Sequence, residues 1–241
     1  MSFGSVKLTH NDGTMHHLGI DEAMVANRVI LTPNPQQIPH YAAYMEHAEK
    51  VGEYREYVTY TGTMCGKPLS VMSCGFGCMP MAIAVEELHH LGVEEIIKIG
   101  FCPALQPETA LGTLLAASGA IRSEGATQEY IDLSYPAVPD MRLLSRLMRH
   151  GTAYGIFRSH DCLSLETPAT ALGRERLARW QALGTAAVDG ETSALYVVSS
   201  ILKLRAASLA LITENYATDQ RMDAPSDEAL FRTAAEALLC E

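Results

Sequence analysis

Apolar residues fall along this chain in short blocks whose period keeps changing, and each change marks an element. Val29 to Thr32 is a brief apolar run stopped by Pro33-Asn34-Pro35, which cannot continue a sheet. Ile38 to Val51 has apolar positions at helical spacing and predicts a helix. Tyr54 to Thr63 and Leu69 to Ser73 are β-rich runs joined by Met64-Cys65-Gly66-Lys67, which predicts a hairpin. Gly75 and Gly77 then release the backbone at a strand end. Met81, Ile83, Ala84, Val85 and Leu88 space a helix from about Pro80 to His90. Ile96 to Phe101 is nearly all apolar, the mark of a strand covered on both faces.

The second half repeats this alternation. Thr113–Ser118 with Ala120–Arg122 predicts one strand, and Ala186–Val188 and Ala206–Thr213 predict two more. Helices are predicted at Asp140–His150, Arg174–Ala182, about Thr192–Leu202 and Ser226–Cys240, the last with Ser226 as N-cap. Strands and helices alternate with no linker-like stretch, which predicts one α/β domain around a mostly buried mixed sheet. The expected division is a polar segment at 1–16 and a single domain at 17–241.

Composition narrows the partners. At 241 residues one large core is feasible, and 48% hydrophobic against 19% charged residues is ordinary for buried helix and strand. The net charge of −10, with no long basic cluster, argues against nucleic acid. Met1 to His17 lacks an apolar signal core, and no apolar run approaches the roughly 20 residues that span a bilayer. The expectation is a cytoplasmic protein that does not enter the membrane. The six cysteines are scattered and sit mostly in apolar runs, so they are read as reduced core thiols.

Several apparent motifs dissolve on inspection. Gly75-x-Gly77 lacks the third glycine of a dinucleotide fingerprint, because Pro80 stands there. Cys74 and Cys78 have no second pair to complete a zinc set, and no metal site is expected. Ser159-His160-Asp161 holds triad residue types, but sequence neighbours cannot form the relay.

Other residues carry more. The helix after Gly77 directs its unpaired N–H groups above a strand end, the geometry of a site for an anion or a sugar. The following turn holds Lys98, Phe101 and Pro103, where a phosphate turn calls for small or donor residues. Glu191, in VDGETSALY, is placed to accept two hydrogen bonds from vicinal sugar hydroxyls, or else is a first-turn helix acid. Glu214 follows the apolar strand ALIT, where α/β sheets collect ligands, or is a solvated loop acid. Arg55 either pairs with Glu53 or Glu56, or meets an anion.

As an ordered set, YREYVTYTGTMCGKPLSV, CGFG, AIAVEELHHLG, IIKIGFCPALQPETALG, AIRSEGA and YPAVPD resemble the nucleoside phosphorylase family of uridine phosphorylase and hexameric purine nucleoside phosphorylase. The likeness runs from about His17 to Leu239 and is greatest to the uridine branch. It implies a three-layer α/β/α fold with a mixed, partly barrel-like sheet. It implies a pentosyltransferase that cleaves a nucleoside's N-glycosidic bond with phosphate and uses no cofactor. It also implies a homodimer, or a hexamer built as a trimer of dimers, whose subunits share sites. Two other readings stand beside it, a homologue that binds a nucleoside without cleaving it and a nucleoside hydrolase.

Roles follow from the resemblance residue by residue. The family's phosphate turn Pro-Gly-Asp-Pro-x-Arg corresponds here to Thr32-Pro33-Asn34-Pro35-Gln36-Gln37, so Pro33 has no N–H and Gln37 has no charge. Lys98 replaces an arginine and Phe101 a hydroxyl residue, while Arg55 matches an arginine that reaches phosphate from a neighbouring subunit. His17 matches the histidine near the sugar 5′-hydroxyl across a dimer interface. Glu191 matches the acid on the 2′- and 3′-hydroxyls, and Gly190 replaces a methionine against the sugar. The base pocket falls to Asp161, Leu163 and Phe101, with Thr167 and Ala169 at the positions that read uracil. Glu214 stands at or beside the acid that protonates purines in the purine enzymes.

Overall fold

A computed structural model describes residues 6–240. Its centre is a ten-stranded mixed sheet that closes partly on itself. Strand β5 (Glu95–Ala104) is the pivot, with all but Phe101 and Pro103 buried. It lies parallel to β1 (Arg28–Thr32) on one side and to β9 (Arg205–Asn215) on the other. Beyond β9 come β6 (Leu114–Ser123), β7 (Ala153–His160) and the short β8 (Ala187–Asp189). The pair Ala104–Ala187 then returns β8 to β5, so these five strands form a ring. From β1 the sheet continues outward through β4 (Lys67–Ser73), β3 (Tyr57–Met64) and β2 (Glu46–Tyr54). A two-residue β10 (Gln220–Arg221) edges β9.

Two helical layers cover the sheet. On one face α2 (Cys78–His90) and α5 (Thr192–Leu202) bury Met81, Val85, Leu88, Leu195 and Val198 in one core. On the other, α1 (Ile38–Ala42), α3 (Met141–Arg149) and α6 (Glu228–Leu239) bury Tyr41, Leu143, Leu147, Phe231 and Leu238 in a second. The remaining helix, α4 (Ala171–Ala182), packs Leu177 beside Leu105 and Val188. The α/β architecture with a partly closed mixed sheet is thus the one expected. Among the described residues no helix is long and apolar enough to cross a membrane.

Three expectations are corrected. The helix expected over 38–51 ends at Ala42, and 46–54 is strand β2. This strand is an edge, mostly exposed, with two register shifts against β3, so its polar residues never show the alternation of a half-buried strand. The final helix is capped at Asp227 rather than Ser226. The cysteines divide: Cys74, Cys78 and Cys102 are buried, but Cys65, Cys162 and Cys240 are exposed, Cys65 in the hairpin turn with φ 53° and Cys240 just past the last helix. Strand β7 had no predicted counterpart, because its first residues are half exposed and only Phe157–His160 are buried. Within the segment 1–16, residues 6–16 are described, and there Thr9 bridges Met15, whose side chain is fully buried.

Candidate active site

The carboxyl ends of β1, β5 and β8 meet the start of α2, and the site is built there. Gly75 (φ 72°) and Gly77 (φ 102°) turn the chain from β4 into α2 in conformations that side chains rarely adopt. A Cβ at Gly75 would lie 2.8 Å from Glu56 and 3.1 Å from Pro80, so the turn also needs the missing side chain. Gly77 N–H then donates to Glu191 Oε1 at 3.1 Å. The anion received at this helix start is therefore the protein's own carboxylate.

Glu191 sits at the N-cap of α5, 2% exposed. Its other oxygen, Oε2, lies 3.0 Å from Lys98 Nζ. Lys98 is 1% exposed and also donates to Asp189 Oδ2 at 2.9 Å. Asp189 accepts further hydrogen bonds from Ser159 Oγ at 2.6 Å, from Thr192 N at 3.1 Å and from the Thr192 hydroxyl. One buried ammonium thus stands between two buried carboxylates, a cluster of net charge −1.

The protonation of this cluster follows from its geometry. Burial alone works against the charged Lys98, but the two adjoining carboxylates overcome it and hold the ammonium well above its usual range. Burial likewise opposes the charged Asp189, yet Lys98 and the Ser159 and Thr192 donors hold it below the ordinary aspartate value. Glu191 is pushed above the ordinary glutamate value by burial, with Asp189 adding to the push and Lys98 and Gly77 N–H offsetting part of it. Glu191 is the member that takes up a proton first.

A cavity of about 100 Å³ opens against these groups. Lys98, Asp189, Gly190 and Glu191 form one part of its wall, and Phe101, Leu163, Glu166 and Tyr216 another. Pro33 and Phe101 border both this cavity and a wider adjoining groove of about 530 Å³, which also takes in Asn34, Gln37 and Glu56. Gln37 is engaged locally, its Oε1 accepting from Thr32 Oγ1 at 3.0 Å. The stretch Asn34–Gln37 closes on itself as a 3-10 turn capped by Asn34.

The other predicted residues are placed elsewhere. Arg55, at the β2–β3 turn with φ 54°, is exposed, and its guanidinium lies 5.4 Å from the Tyr54 ring centre. His17 is bound through Nδ1 to Glu87 Oε1 at 2.6 Å, and Glu87 also accepts from the backbone N–H groups of His17 and Leu18. Neither Arg55 nor His17 lines the cavity of its own chain. Asp161 accepts from Gly125 N at 3.0 Å and faces a different groove with Met79 and Tyr130. Glu214 is a third exposed, lies 3.6 Å from Arg221 Nε and does not border the cavity. Thr167 and Ala169 do not line it either.

Residues that the sequence reading left without a role complete the site. Asp189 shares Lys98 with Glu191, and the signal was two acids flanking a glycine directly after a buried strand. Glu166, 4% exposed, lines the cavity while paired with Arg158. Among the described residues no group of three or more His, Cys, Asp or Glu side chains is arranged to hold a metal.

Comparisons with known proteins bear on the family and the fold. The family signature of the phosphorylase superfamily matches residues 27–240. A uridine phosphorylase of Treponema pallidum (strain Nichols) is 36% identical over an alignment of 223 positions, which covers 87% of this chain and 86% of that protein. A guanosine phosphorylase of Halorubrum lacusprofundi is 30% identical over an alignment of 222 positions, which covers 89% of each chain. The crystal structure of uridine phosphorylase from Vibrio fischeri ES114 superposes with a TM-score of 0.84 at 29% identity, covering 95% of this chain and 98% of that one. The chain belongs to the phosphorylase superfamily, as a member of its nucleoside phosphorylase family.

Proposed function

We propose that the protein is a pentosyltransferase that cleaves the N-glycosidic bond of a ribonucleoside with phosphate. The observation that carries this reading is Glu191, a buried carboxylate bordering the cavity with its two oxygens held apart by Gly77 N–H and Lys98. A carboxylate so fixed has lone pairs left for the 2′- and 3′-hydroxyls of a ribose. In the reaction the C1′–N bond breaks, a phosphate oxygen bonds to C1′, and the base departs with the electron pair and gains a proton. The negative cluster faces a centre that becomes positive in the transition state, which favours the separation of charge.

Phosphate needs positive charge, and Lys98 shares its own between two acids. Arg55 is exposed and outside its own chain's cavity, which supports its delivery to the site of a second copy. His17, held by Glu87, fits the same exchange. The assembly is accordingly a homodimer or a trimer of dimers, and the unpaired thiols fit a cytoplasmic location.

The test is release of base from a panel of ribonucleosides with and without phosphate. The reading expects release only with phosphate, one sugar phosphate formed per base, and its loss in Glu191→Ala. Release that ignores phosphate would overturn it.

A further inference from the structure

Glu166 is the buried acid of the cavity that ribose binding leaves without a task. It follows the short turn Leu163–Leu165 and is held from behind. Arg158 Nη1 donates to its Oε2, and the Arg158 guanidinium lies over the Trp180 ring, 4.5 Å from its centre. His160 Nε2, buried and without a hydrogen-bond partner, stands 3.7 Å from the same oxygen. An ion pair alone would not require the acid to border the cavity. Glu166 borders it beside Leu163, Val188 and Tyr216, whose apolar surfaces suit the flanks of a planar ring.

We infer that Glu166 reads the base, and that it selects bases presenting two adjacent N–H donors, as a 2-amino-6-oxopurine does. The inference rests on the nucleoside reading of this cavity and adds its base class. A carboxylate offers acceptors only, about four lone-pair positions, of which Arg158 takes one. Guanine meets it with N1–H and the 2-amino group side by side, the bidentate fork that carboxylates bind most strongly. Uracil presents acceptor, donor, acceptor, so a carbonyl would face the carboxylate. Adenine and cytosine set one donor beside a ring acceptor, and hypoxanthine keeps N1–H alone. At 4% exposure Glu166 has little water to mask a mismatch.

Steady-state kcat/KM for guanosine, inosine and uridine on the unaltered protein tests this without any variant. Guanosine is expected to exceed inosine by roughly ten- to a hundredfold, the worth of one charge-assisted hydrogen bond, and uridine to fall below inosine. In Glu166→Gln the guanosine-to-inosine ratio should collapse to about threefold or less, since a carboxamide offers one acceptor and one mismatched donor. A preference for uridine, or a ratio unchanged in E166Q, overturns the inference. If no nucleoside is cleaved, the phosphorolysis reading fails separately. Equilibrium binding of guanine, hypoxanthine and uracil then decides the base assignment: tighter guanine supports it, and equal affinities refute it.

Discussion

Replacing Lys98 with Met removes the charge and keeps most of the apolar stem, so it isolates what the ammonium does. Its Nζ lies 2.9 Å from Asp189 and 3.0 Å from Glu191, with all three side chains 2% exposed. At an effective dielectric of about 20 each attraction is worth about 5–6 kcal/mol. Against these stand the several kcal/mol of dehydrating each ion. Deletion of one partner leaves the other charges buried and uncompensated, for which about 3–5 kcal/mol is the expected loss. The loss should depend on pH with a definite sign. Without the ammonium both carboxyls rise above their unfolded values, the folded state binds more protons than the unfolded one, and stability falls as pH rises. Urea denaturation of K98M should therefore show the full deficit at pH 7 and a smaller one at pH 5. A deficit under about 1 kcal/mol, or one that is equal at both values, would refute the buried cluster as described.

Three further outcomes follow from other parts of the molecule. Because Glu191 is held above the ordinary glutamate range, ribonucleoside affinity should decline on acidification before that range is reached, and E191Q should bind weakly with no such decline; isothermal titration from pH 7.5 to 4.5 reads both. Asp140 caps α3 by accepting from Arg142 N at 2.9 Å and Leu143 N at 3.1 Å, so D140A should cost about 1 kcal/mol in urea unfolding without altering ligand binding. If Arg55 serves the site of a second copy, inactive R55A and E191A chains refolded together should recover part of the activity, since some mixed sites carry neither substitution. Mixtures as inactive as their parents would place Arg55 outside the shared site.

The elements that were legible are those whose pattern is set by burial. Strand β5 and helix α5 are apolar almost throughout because both are enclosed, and each stands within a few residues of its expected bounds. Strand β2 was illegible because an exposed edge with two register shifts imposes no alternation on its residues. Within the site, the place of Glu191 after a strand and before an apolar helix fitted a sugar-binding acid and a first-turn helix acid alike, and only the family resemblance favoured the first. Its partners were not, because Lys98 and Asp189 come together only when β5 and β8 close the ring, 91 residues apart in the chain. The helix start at Gly77 was read as a site for an anion or a sugar, and its N–H meets Glu191, a contact across 114 residues that no local pattern encodes. Glu166 was hidden for a similar reason. Its neighbour Thr167 lay at the ungapped base-reading position, but it is the acid one residue earlier that borders the cavity.

The most direct measurement is the product balance of a nucleoside incubated with the protein and phosphate, run beside E191A. Phosphorolysis at this site predicts free base and pentose 1-phosphate in equal amounts, no base when phosphate is withheld, and neither product from E191A. Base accompanied by free ribose, or a fully active E191A, would contradict it.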